Sequence, residues 1–227
     1  SVWIQYAHRF YAYQEGYWAR FEDIIKNIFS LTDIVFSDQM KEWTHQAMQR
    51  YPSTYYSIDF IGESFLRFLK ENQTLSQTSK RIAQDLSNLD WTLSRLYQLP
   101  RKSPFDLSSF AKIDAARWKC AQLTLQDSIE IMPFQWNLFD FNQKETVSLD
   151  EIKENSIHLL IYKDDDQSVY YEKIEASEYL LLKSLREGNN LLQSIQNSQE
   201  QNQERIQNFF HKWFEYGLFT DIQFSHE

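Results

Sequence analysis

Apolar side chains recur at steps of three and four through the first hundred residues, then give way to short alternating and β-branched runs. The first helical stretch, Trp3 to Phe29, carries Tyr6, Phe10, Tyr13, Tyr17, Phe21, Ile24, Ile25 and Ile28 as one stripe, aromatic at first and then aliphatic. A second stretch runs from Ser37, whose hydroxyl suits a helix N-cap, to Arg50. The fourth covers Ser76 to Leu99, with Ile82, Leu86, Leu89, Leu93 and Leu96 at helical spacing, and stops before Pro100.

Between them, residues 51–69 read YPSTYYSIDFIGESFLRFL. Pro52 cannot sit inside a helix, because it lacks an N–H and clashes with the preceding turn. Ser57 then suits a helix start, and Ile61, Phe65, Phe68 and Leu69 fall on one face. Gly62 lies inside that helix, where it costs up to about 1 kcal/mol relative to alanine. Such a glycine marks close packing, with another backbone or a large ring against it. Four helices of this kind predict a helical bundle.

After residue 100 the character changes. LPRKSPFD holds two of the four prolines and reads as a linker, and Leu123, Leu125, Ile129 and Ile131 alternate as short strands do. SIHLLIYK and QSVYYEKI, separated by the acidic turn Asp164–Asp166, read as a hairpin. ASEYLLLKSLREG is a helix closed by Gly188, a short helix follows around Leu191–Ile195, and QERIQNFFHKWFEYG closes at Gly217. LFTDIQF is a returning strand. The fold expected is α+β: a helical bundle over 1–100, a linker with short strands over 101–155, and a small winged-helix-like α/β domain over 156–227.

Composition narrows the function. Aromatics make up 16% of the 227 residues and the net charge is −9, which disfavours a nonspecific polyanion partner. Residues 151–227 hold seven Lys and Arg against fourteen Asp and Glu, so that this part alone carries −7. A winged helix reading DNA needs cations on its groove-entering helix, yet residues 200–216 set Arg205 and Lys212 against Glu200, Glu204 and Glu215. A DNA-binding transcriptional regulator is therefore the alternative reading rather than the first. The single cysteine, Cys120, forms no internal disulfide and fits a reducing compartment. The start resembles no signal peptide and no apolar run could span a membrane, so a cytoplasmic location is expected.

The five histidines are dispersed, Cys120 has no CxxC companion, and no phosphate-cradling or nucleophile-elbow motif occurs. No catalytic residue and no metal ligand is assigned, and Asp164–Asp166 reads as a hairpin turn. What remains is the binding of a polypeptide. A small sheet with an open edge accepts an extended peptide as a further strand. The residues expected to line such a site are Leu159, Ile161, Tyr170 and Tyr171 on the hairpin and Phe209, Phe210 and Trp213 on the helix beside it. The sheet edge is expected from 156–163, 168–174 and 218–223.

The pattern Y-P-S-x-x-Y-S-I-x-x-I-G-x-x-F-x-x-F-L at 51–69 resembles the signature segment of the HvfC/BufC family, once labelled DNA-binding. Tyr17 to Arg20, LSNLDWTLSRLY at 86–97, 159–188 and FFHKWFEYGLF at 209–219 resemble further segments of that family in the same order. The resemblance implies a non-catalytic accessory subunit that forms a heterodimer with a multinuclear non-haem iron oxidative enzyme. It implies capture of the leader of a ribosomally made precursor peptide, as in methanobactin biosynthesis and copper-related pathways. Iron would then belong to the partner enzyme and this chain would bind no cofactor of its own. Tyr51, Tyr55, Tyr56 and Trp91 are the residues expected at the enzyme interface.

Overall fold

Helices α1 (Val2–Ile28), α2 (Ser30–Arg50), α3 (Ile61–Glu71) and α4 (Gln77–Gln98) open the chain in the computed structural model, which describes residues 2–52, 61–105, 117, 119–136 and 146–224. Strands β1 (Ala121–Leu125), β2 (Ile129–Trp136), β3 (Glu154–Lys163) and β4 (Val169–Ile174) follow. Helices α5 (Ala176–Arg186), α6 (Leu191–Ser198) and α7 (Gln203–Glu215) and strand β5 (Phe219–Phe224) complete it. The chain is α+β, with the helices first. It divides into two units, residues 1–92 with 136–154 and residues 93–135 with 155–227. Composition places the breaks at 100 and 156; in the fold, the stretch 101–155 is shared between the units and supplies β1 and β2.

In the first unit, Ile25 and Phe29 at the end of the α1 stripe are fully buried, while Tyr17 is 50% exposed. Tyr6, Phe10 and Tyr13 have side chains outside the described residues. The second helix starts at Ser30 rather than Ser37, but its backbone breaks at Phe36 (φ −123°, ψ 31°), directly before Ser37. The expected boundary is therefore a kink inside a longer helix. The α3 face of Ile61, Phe65, Phe68 and Leu69 is buried, with the Phe65 ring 4.7 Å from that of Phe29. The expected start of this helix at Ser57 lies outside the described residues. The Ser76 hydroxyl accepts from Ser79 N–H at 3.1 Å and caps α4.

Two adjacent residues of α4 secure the other helices of this unit. The six-membered ring of Trp91 lies directly over Gly62, and a Cβ there would overlap Cζ3 and Cε3 of that ring. The ring is buried and stacks at 11° over Phe29. Its neighbour Asp90 caps α2. The local N-cap residue, Phe29, offers no side-chain acceptor. Instead Leu31 N–H (3.0 Å), Thr32 N–H (2.9 Å) and the Thr32 hydroxyl (2.8 Å) all donate to the Asp90 carboxyl. Burial raises the pKa of this group to about 7, against the opposing pull of those three donors.

In the second unit, β3 is the middle strand of a sheet of order β2-β3-β4, with β3 and β4 antiparallel and Tyr162 opposite Tyr170. A separate antiparallel pair joins β1 to β5, with Leu123 opposite Ile222. The core gathers Leu123, Ile129, Leu160, Leu181, Trp213 and Phe219 among others. Local chemistry sets the helix ends. Asn190 and Gln193 form a reciprocal capping box at α6, Asn202 caps α7, and Gly188 (φ 84°) and Gly217 (φ 61°) take the left-handed conformation beyond α5 and α7. At Gly217 an added Cβ would also press on Pro104 Cγ at 2.8 Å.

The segment after α4 is held by buried cations. Lys163, on β3, donates to the carbonyls of Tyr97 and Leu99 at 2.8 Å each, closing the C-terminal end of α4 where the helix dipole favours positive charge. Arg101 is buried, donates to Tyr216 O at 3.0 Å and pairs with Asp164 and Asp165. The acidic turn is thus anchored to the chain at one end.

Two outcomes are expected from this packing. Gly62→Ala should destabilise the protein by about 1–3 kcal/mol by over-packing, although alanine is the better helix former; an unaltered melting temperature would refute the close approach of Trp91. Because the folded pKa of Asp90 lies above its unfolded value, its contribution to stability is complete below about pH 4 and is lost as pH rises through about 7, at roughly 1.4 kcal/mol per pH unit inside that window. Urea melts from pH 4 to 8 should show that decline, and Asp90→Asn should lack that part of the slope whatever its absolute stability.

Candidate peptide-docking edge

Strand β4 is one of the two edge strands of its sheet, β2 being the other: among the described residues it pairs with β3 alone. Its second row of backbone N–H and C=O groups is what an extended peptide would pair with. The register sorts its side chains. Tyr170, Glu172 and Ile174 share a face with Tyr162, Leu160 and His158, while Val169, Tyr171 and Lys173 share the other with Lys163, Ile161 and Leu159.

A polar network lies beneath the first face. Glu178 on α5 is buried and accepts from Trp213 Nε1–H at 2.9 Å. Lys212 sits 2.6 Å from Glu178 and 2.8 Å from Glu172. Burial alone would lower the Lys212 pKa, but the two carboxylates outweigh it and hold it above its ordinary value. The Tyr216 hydroxyl donates to Glu172 at 3.1 Å, and its ring stacks on Tyr162 at 4.4 Å and 9°. Burial first, and then the neighbouring Glu172, raise the pKa of Tyr216; burial and Tyr216 do the same to Tyr162. The network ties α7 to α5 and β4.

The residues expected to line a peptide site separate into two groups. Leu159, Ile161 and Trp213 are fully buried and Phe209 nearly so, hence they are core residues. Phe210 is half-buried and packs on Trp213 at 5.0 Å and on Phe219 at 6.4 Å. The surplus of rings on α7 is taken up inward, because β5 returns beside that helix with Phe219. Tyr170, 44% exposed, and the half-buried Tyr171 are the two that stand on the edge strand with surface to offer. The expected edge is also corrected: β5 pairs with β1 and does not extend the β3–β4 sheet.

Of the residues expected at an enzyme interface, Trp91 is buried over Gly62. Tyr51 is half-buried, with its hydroxyl bonded to Glu71 and the Arg67 guanidinium 4.4 Å over its ring. Tyr55 and Tyr56 lie outside the described residues. Among the described residues, no group of three or more His, Cys, Asp or Glu side chains is placed to hold a metal ion, and no helix is long and apolar enough to cross a membrane. The sequence matches no protein-family model and no curated protein.

The network also bears on α7 as a groove-reading helix. Lys212 is committed to Glu172 and Glu178, and Arg205 to Glu175 and Glu200. Both cations of the 200–216 stretch thus already have carboxylate partners, which phosphate would have to displace.

Sequence reasoning missed Lys212, Glu178, Tyr162 and Tyr216 as a unit. The signal within reach was Glu178, an acid one helical turn before Leu181 and Leu182 on an otherwise apolar helix face. Trp213→Ala should cost about 3–5 kcal/mol, since it removes a fully buried indole and the hydrogen bond it donates to the buried Glu178. Denaturant titration followed by circular dichroism should show that loss; a variant of native stability with altered peptide affinity alone would instead return Trp213 to the binding surface.

Proposed function

We propose that this chain is a non-catalytic accessory subunit that holds an extended polypeptide along the outer edge of β4. The observation that carries this reading is the position of β4 as an edge strand, with its exposed Tyr170 backed by the Trp213–Glu178 and Tyr216–Glu172 hydrogen bonds. Backbone pairing along an edge gives affinity, and the alternate side chains give selectivity.

The resemblance to the HvfC/BufC family extends the proposal. The polypeptide would be the leader of a ribosomally made precursor, and the partner a multinuclear non-haem iron enzyme that modifies it in the cytoplasm. Holding the leader makes attack on the core of the precursor effectively intramolecular, with effective concentrations of order millimolar for a short tether. In this reading iron and catalysis belong to the partner. The buried Trp91 and Gly62 within 51–97 serve the fold of the helical unit, and Tyr51 is half-buried.

A regulator that binds DNA is opposed by the paired state of Lys212 and Arg205. Co-expression with a neighbouring iron enzyme and its precursor peptide is the direct test. The three should co-purify, and hydrogen exchange of the assembled complex should slow at 169–174 when the peptide is present. Protection confined to α7 and β5, or firm retention on heparin at physiological salt, would count against the proposal.

A further inference from the structure

Resting on that docking reading, we infer that the β4 edge selects an extended peptide carrying an arginine at the position opposite Tyr170. Three tyrosine rings run in a row toward the edge: Tyr216 stacks on Tyr162 at 4.4 Å, and Tyr162 lies 6.0 Å from Tyr170. Tyr170 ends the row, and its ring is the exposed one. A strand added to β4 would set one side chain directly beside that ring, on the same face, at the spacing of cross-strand neighbours.

The charges around the ring specify which side chain. The Tyr170 hydroxyl donates to Asp166 Oδ2 at 3.0 Å, and Glu172 stands two residues further along on the same face. Glu172 is already paired with Lys212 and Tyr216, which leaves Asp166 as the carboxylate at the ring; its charge favours a cation over a neutral side chain, and a planar guanidinium both stacks on the phenol and reaches the carboxylate beside it.

The described residues include one such arrangement built from the chain itself. At Tyr51 the hydroxyl bonds to Glu71, the Arg67 guanidinium lies 4.4 Å over the ring, and Arg67 Nε also donates to Glu71 at 3.3 Å. Tyr170 and Asp166 repeat the phenol–carboxylate half. The cation–π pairs among the described residues fall on Tyr51, Phe224 and Tyr97, so an incoming peptide would supply the guanidinium at Tyr170.

The test uses the whole chain and four capped heptapeptides of sequence Thr-Val-Thr-X-Thr-Val-Thr, with X as Arg, Lys, Ala or Glu, titrated against ¹⁵N-labelled protein. The Arg peptide should shift the amides of 169–174 and bind about 3- to 10-fold tighter than the Ala peptide, with Glu weakest. Tyr170→Phe should keep most of that ratio, and Tyr170→Leu should collapse it toward one while the peptides still shift β4. Equal binding of the Arg and Ala peptides at β4 overturns the arginine preference and leaves the docking edge standing. Absence of β4 shifts with all four peptides overturns both.

Discussion

Asp90 and Trp91, side by side on α4, are the contact on which the helical unit depends. A carboxyl group taken out of water is costly unless donors meet it, and α2 begins with N–H groups that its own sequence leaves uncapped. Each answers the other's need. The next residue turns its ring onto Gly62, so one dipeptide fixes the start of α2 and the height at which α3 can approach. This is why the glycine is tolerated at an interior helical position: the approach it permits would be lost with any side chain there.

The second unit uses the same economy with opposite charges. Lys163 and Arg101 are buried cations satisfied largely by backbone carbonyls and the acidic turn, and they hold the chain after α4 against the sheet of this unit. Lys212 bridges two carboxylates on different elements. Cations spent inside the fold in this way are unavailable to phosphates, and the outer surface of the unit keeps its acidic balance.

Rigidity behind an edge and openness at the edge are complementary requirements for strand addition. The stacked Tyr162 and Tyr216, the Trp213–Glu178 bond and the Phe210–Phe219 packing fill the space behind β4. The strand can then present its backbone at little further cost in ordering. Aromatic residues here fall into two settings: Phe209 and Trp213 of α7 are buried in the core, while Tyr170 and Tyr171 stand on the edge strand proposed as the docking site.

The sequence alone determined the elements. Period-3.6 stripes located α1, α3 and α4, Gly188 and Gly217 marked the ends of α5 and α7 from local chemistry, and the acidic turn between β-branched runs announced the hairpin. Gly62 even announced a large ring against it, because an interior glycine is costly without such a reason. Tertiary structure alone decided the partners. That Trp91 is the ring, that Asp90 caps a helix 58 residues away, that β5 joins β1, and that Phe209 and Trp213 point inward all depend on which surfaces meet. Local periodicity records that a residue has an apolar side to hide, whereas the surface that hides it is chosen by packing across long sequence separations.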